Sequence, residues 1–225
     1  MRLVCLLALT GIPLAGCQVP VTLDFPVGPL TYEVSTEDLQ VPVALRDGAS
    51  LVSVPCAATC DLALEGSPLT MACVDQICDP EPFCYALDLP PVDLGDFEDL
   101  SKLGDHVTDA EVRRVVYVVE ENTLNVDLPS IRIQWGPETA ATVDDGSVHP
   151  LGTVPVIASG QTPSGEVPLD PAGAAALGDH FVNTSTVFRL FADTAIDLEP
   201  GMPLPQGTLR FTSTVEVHLE GEGGL

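Results

Sequence analysis

Apolar residues recur at every second position toward the C-terminus. Leu209, Phe211, Val215, Val217 and Leu219 share one parity, with Ser213 the polar exception. Arg210, Thr212, Thr214, Glu216, His218 and Glu220 hold the other parity. Period two puts one set on a core and the other in water, which predicts a long half-buried strand. Gly221 to Leu225 reads as a frayed tail beyond it. The same period opens the chain's second stretch, where Val21, Leu23 and Phe25 alternate with Thr22 and Asp24. Pro26 and Pro29 interrupt that run, so it is expected as an edge strand or a bent one. Ile131, Ile133 and Trp135 alternate with Arg132 and Gln134 before Gly136-Pro137, and Phe188, Leu190 and Ala192 alternate with Arg189 and Phe191. Val115 to Val119 is β-branched and aromatic throughout, as strands buried on both faces are. Val41 to Leu45 and Val154 to Ile157 are shorter strand candidates.

Helical signals are fewer. Asp170 can cap, Pro171 suits the first helical position, and Gly178 can close the helix; Gly173 weakens the run between them by roughly 1 kcal/mol relative to Ala. This helix is expected to cover a loop between strands. Thr108 and Glu111 have capping-box spacing, which predicts a helical turn leading into the strand at Val115. Asp96 to Leu103 is a further short helix candidate. Many short strands, frequent Pro and Gly turns and little helix predict a mainly β chain, an immunoglobulin-like antiparallel β-sandwich with a disulfide-rich irregular insertion and one or two short helices.

The order of features over residues 107–220 resembles a known family. A β-branched strand leads into Glu121-Asn122-Thr123-Leu124-Asn125-Val126-Asp127-Leu128-Pro129. A strand follows, then Leu151-Gly152-Thr153-Val154-Pro155-Val156, Val167-Pro168-Leu169-Asp170 and a short helix. This is similar to the late embryogenesis abundant type 2 (water-stress, hypersensitive-response) β-sandwich domains. Asn-Thr-Leu stands here where that family usually shows Asn-Pro-Asn. The resemblance implies the sandwich and no particular activity.

Composition narrows the class. The chain has 225 residues, with 33 Asp+Glu against 8 Lys+Arg, a formal charge of −25. A charge of that sign repels a phosphate backbone, which excludes nucleic acid as a partner. Hydrophobic residues nevertheless make up 45% of the chain, too many for a disordered acidic tail.

The N-terminus changes the picture more. One Arg precedes an apolar run from Leu3 to Leu14. It falls short of the roughly 20 residues that cross a bilayer and has the length of a signal-peptide core. The run ends in Leu14-Ala15-Gly16-Cys17, which resembles the lipobox of bacterial lipoproteins. That resemblance implies removal of residues 1–16 and a diacylglycerol thioether on Cys17. The mature part, 17–225, is then a single β-sandwich domain. Gln18, rather than Asp, implies the outer membrane, by analogy with lipoprotein sorting in enteric bacteria. Two or three acyl chains hold a protein stably on a membrane, whereas one binds marginally. Loss of the leader takes away Arg2 and no acid, so the charge moves from −25 to −26.

Of seven Cys, five remain once Cys5 and Cys17 are set aside: Cys56, Cys60, Cys73, Cys78 and Cys84. In an exported chain such a cluster reads as disulfides, here two bridges and one free thiol, with the pairing left open. Zinc is disfavoured because no close Cys pair or nearby His accompanies them. The cluster lies in residues 47–101, which hold eleven acids and no Lys or Arg; this stretch is expected as an acidic, disulfide-stapled insertion.

Candidate chemistry is sparse. No nucleophile elbow, phosphate-binding loop or dinucleotide fingerprint occurs. Asp105-His106 and Asp179-His180 are adjacent acid–His pairs, but neighbours in sequence need not face each other. His149 stands alone, and His218 falls on the wet face of the last strand. Asp93, Asp96, Glu98 and Asp99, and the pair Asp144 and Asp145 before Gly146, are oxygen-rich enough to be calcium ligands, although neither has EF-hand spacing. Asn183-Thr184-Ser185 matches a glycosylation sequon that a bacterial lipoprotein would not use. The sequence thus leads to a non-enzymatic, lipid-anchored envelope lipoprotein without a cofactor, serving as a structural or binding module toward an unknown envelope protein or ligand. The alternative is a calcium-assisted adhesion or ligand-binding module on the cell surface.

Overall fold

The structure is a computed structural model and describes residues 19–35, 55–57, 70–80, 83–97, 107–196 and 205–223. The fold is mainly β and antiparallel. One sheet has the order β1-β11-β6-β9, with β1 Val19–Ser35, β6 Val107–Asn122, β9 Ser164–Val167 and β11 Thr208–Gly223. The other has the order β4-β10-β7-β8, with β4 Phe83–Asp88, β7 Ile131–Pro137, β8 His149–Val154 and β10 Val187–Ile196. β5 (Val92–Asp93) also pairs with β10. A separate hairpin joins β2 (Met71–Val74) to β3 (Ile77–Pro80).

The two large sheets close on one core. Val27, Val115, Leu209, Phe211, Val215 and Leu219 of the first meet Ile133, Leu151, Phe188 and Leu190 of the second. The alternation read from the last strand is the burial pattern of β11. Ser213, its polar exception, is buried too and donates its hydroxyl to Tyr32 Oη at 3.2 Å. Tyr32 stacks on Phe211 with ring centroids 4.6 Å apart. Burial raises the Tyr32 phenol to about 12, against a smaller opposing effect of the Ser213 hydrogen bond.

β1 is an edge strand, as its prolines suggested, and it is bent as well. Its register against β11 shifts between Val27 and Leu30. Gly28 sits in that irregularity at φ +120, where a Cβ would lie 2.8 Å from the Ser213 carbonyl oxygen, so only glycine fits. Prolines along an exposed edge also discourage pairing with another chain.

The helix α1 spans Pro171–Asn183, and Asp170 Oδ1 accepts the Gly173 N–H at 2.8 Å, as the capping signals predicted. It does not stop at Gly178. A Cβ there would come within 2.3 Å of Ala110 O, and one at Gly173 within 1.5 Å of Pro150 O. Both glycines therefore let the helix backbone lie against β6 and β8, and neither terminates it. Nor does α1 merely cover a loop: Leu177 and Phe181 are buried in the shared core.

Other expectations are corrected. Thr108 and Glu111 form no helical turn but lie inside β6, where Ala110 opposes Leu219 and Val112 opposes Val217; long-range pairing outweighs a capping preference of about 1 kcal/mol. Val115 to Val119 is buried on one face only, and Val118 is 46% exposed on the other. The strand expected at Val154–Ile157 runs instead over His149–Val154. Pro155 has no N–H to extend the ladder, Val156 is exposed, and Ile157 returns as an isolated bridge to Leu128. Gly221 to Gly223 does not fray but continues β11, opposite Val19 to Val21. Val41 to Leu45 lies outside the described residues. So does most of Asp96 to Leu103; a single 3-10 turn, Leu94–Asp96, precedes it.

Candidate functional site

Of the cysteines, Cys17 and Cys60 lie outside the described residues. Cys56 and Cys73 form a disulfide. Cys78, which is buried, is also disulfide-bonded, and Cys84 is a free, exposed thiol. The bonded cysteines brace the β2–β3 hairpin, whose two-residue turn carries Asp75 and Gln76 at positive φ (51 and 66). Cys56 N–H donates to Gln76 O at 2.9 Å and lays residues 55–56 beside the hairpin. The later part of the stretch expected as an irregular insertion is stitched into the second sheet through β4 and β5.

The calcium candidates are engaged in local structure. Asp93 Oδ1 accepts Gly95 N–H at 2.7 Å and the Thr186 hydroxyl at 3.2 Å, so this carboxylate caps the 3-10 turn. Asp96 is exposed, and Glu98 and Asp99 lie outside the described residues. Asp145 Oδ1 accepts the Ser147 hydroxyl at 2.7 Å and its N–H at 2.9 Å; these bonds hold its carboxyl below the ordinary range. Asp144 is exposed. Among the described residues no three His, Cys, Asp or Glu come together as metal ligands would.

The adjacent pairs do not act together either. His180 is buried beside Trp135, with Nε2 at 2.9 Å from Val187 O, while Asp179 faces solvent. His149 also stacks on Trp135, with ring centroids 5.1 Å apart. Asp105 and His106 lie outside the described residues. Asn183 is exposed at the end of α1.

The fold brings together charged groups that are distant in the chain. His218 lies between two carboxylates, with Nδ1 at 2.6 Å from Asp24 Oδ1 and Nε2 at 3.5 Å from Glu220 Oε1. Its side chain is 16% exposed, not the freely solvated His that strand parity suggested. The Asp24 hydrogen bond, above all, raises its proton affinity. Nearby, Arg114 makes a bidentate pair with Glu216, both distances 2.7 Å, and Arg113 reaches Glu111 at 2.9 Å. Arg113 borders two recesses. One of about 190 Å³ is lined by Asp24, Phe25, Pro26, Glu216 and Val217. The other, about 590 Å³, runs between β6 and α1, with Asp109, Glu111 and Asp179 as its acids. Neither is lined by a His or a Ser. On the second sheet, Asp193 is buried beneath Arg132 and Gln134. Arg132 Nε donates to it at 2.9 Å, Arg132 Nη2 donates to the same oxygen, and Gln134 Nε2 donates at 2.6 Å. These partners sit on different strands, far apart in the chain, so only register unites them.

No family model matches the chain, and no curated protein matches it. Among solved structures, one from Desmodium yellow mottle tymovirus aligns at 10% identity over 99% of this chain and 92% of that one, with a TM-score of 0.29. Another, from turnip yellow mosaic virus, aligns at 11% identity over 100% of this chain and 92% of that one, also with a TM-score of 0.29. Likeness at that level bears on neither fold nor function.

Proposed function

We propose that this chain is a bacterial lipoprotein, held on the envelope through a lipid on Cys17, whose β-sandwich acts as a structural or binding module rather than as an enzyme. The observation that carries the reading is the segment Leu14-Ala15-Gly16-Cys17 closing an apolar run that is too short to span a bilayer. Its position agrees with the reading: every strand of the described residues, from β1 at Val19 onward, lies after Cys17. The disulfide at Cys56–Cys73 suits an exported chain. An excess of acid and an anionic membrane repel each other, so the lipid rather than surface charge supplies the attachment. Gln18 favours the outer membrane. A non-catalytic role is supported by how the candidate groups are used. His180 is bonded into the core, and Asp93 and Asp145 stabilise turns.

The test is mass analysis of the protein from an expressing bacterium, with and without an inhibitor of lipoprotein signal peptidase. The reading expects a mature N-terminus at Cys17 carrying diacylglycerol, and accumulation of the uncleaved precursor under inhibitor. A mature chain that begins elsewhere, or forms normally under inhibitor, overturns it.

A further inference from the structure

The setting of His218 has a consequence that neither the anchor nor the fold requires. An imidazole donates from both ring nitrogens only when it is protonated. Here both nitrogens face carboxylates, Asp24 on β1 and Glu220 on β11 itself. A neutral ring would turn a lone pair toward one of them. The remaining charges around the site come from every strand against it. Glu111 lies opposite His218 on β6, with Arg113 two residues on, and Asp109 lies opposite Glu220. Glu216 flanks His218 on β11 and is held by Arg114 of β6. On β1, Asp24 stands between the uncharged Thr22 and Pro26. Glu111 and Glu216 keep Arg113 and Arg114 as partners, so loss of the His218 charge leaves Asp24 and Glu220 as the two carboxylates without the cation between them. Asp24 belongs to the outermost strand, in the half from Val19 to Val27 that the irregularity at Gly28 separates from Leu30–Ser35.

We propose that His218 is a pH-sensitive latch that fastens the Val19–Val27 half of β1 to β11 when it is protonated and loosens it when it is neutral. The sign follows from the geometry. Pairing with Asp24 raises proton affinity in the folded chain. The stabilising contribution is therefore complete below the ordinary His value of about 6.5 and is lost as pH rises through the higher folded value. The latch needs only the strand register and the two His218 contacts; whether the loosened segment also carries a lipid depends on the reading of Cys17, which mass analysis decides separately.

The experiment uses the intact protein in detergent. NMR titration of the His218 ring should give a midpoint above about 6.5, moving down in D24N and further in D24N/E220Q. Amide exchange, corrected for its intrinsic pH dependence, should show protection of Val19–Val27 relative to Leu30–Ser35 falling about two- to fivefold from pH 5 to 8, the range that exposed ion pairs give. In H218Q that ratio should stay flat. A wild-type midpoint at or below 6.5, a midpoint unmoved in D24N, or an equal fall in H218Q overturns the latch. If H218Q does not fold, the D24N titration decides by itself.

Discussion

The strands β1, β11 and β6 and the disulfide-braced hairpin of β2 and β3 reach order by different routes. The three strands are long, 17, 16 and 16 residues, and each alternates well enough to bury a face against the core. Their stability is distributed over many side chains at roughly 25 cal/mol per Å² of apolar surface removed from water. The β2–β3 hairpin has four residues a strand and leaves Val74 and Ile77 exposed at its tip. A lone two-stranded hairpin is marginal in water, and here disulfides supply what burial does not. Polar groups follow the same division. Ser213 and Tyr32 satisfy each other inside the core, whereas Asp93 acts on a turn at the surface.

The largest effect should come from the core. Phe211→Ala removes a fully buried ring stacked on Tyr32 and should cost about 3–5 kcal/mol. Denaturant unfolding followed by the single tryptophan, Trp135, measures it; a loss below 1 kcal/mol would mean that the long strands are not the main support. Alkali should act next. Tyr32 keeps its proton up to about 12 in the folded chain, while the unfolded phenol releases it near 10. Stability should therefore decline between those values by about 2–3 kcal/mol. The decline should be absent in Tyr32→Phe, which tests whether the buried pair belongs to the cooperative core. Gly178→Ala forces a methyl against the Ala110 carbonyl and should cost about 1–3 kcal/mol in the same assay. A neutral result would show that α1 can slide on β6. The smallest global effect is expected from the double change Cys56→Ser and Cys73→Ser. Exchange protection should be lost across Met71–Pro80 while the Trp135 transition moves by less than about 1 kcal/mol. A shift near the 3 kcal/mol typical of such a loop would erase the contrast and make the hairpin part of the core.

Legibility followed the same line. β11, β7 and the first half of β1 were readable because alternation is local and the burial it reports is the burial that occurs. The helix start at Asp170 was readable because a cap is a contact over three residues. Its end was not, because Gly178 serves packing against Ala110, 68 positions earlier, and nothing nearby distinguishes that from a helix stop. Thr108 and Glu111 misled for the mirror reason, since a local capping signal lost to a ladder formed with residues 107–111 positions away. The spacing of Asp93 and Asp145 fitted metal ligands as well as turn caps, and only the donors beside them decide between the two uses.

By itself the sequence determined that the chain is mainly β and which strand faces are apolar, and it supplied the Leu14-Ala15-Gly16-Cys17 segment on which the proposed lipid attachment rests. Each rests on composition or on near neighbours. The tertiary structure decided which strands pair, that Cys84 is free among the described cysteines and that His218 meets Asp24 across 194 positions. It also decided that Asp193 is buried beneath Arg132 and Gln134. Those outcomes depend on register. A shift of one residue would turn Asp24 and His218 from the solvent face to the core, and register is set by the burial of two whole sheets against each other rather than by any local run of residues.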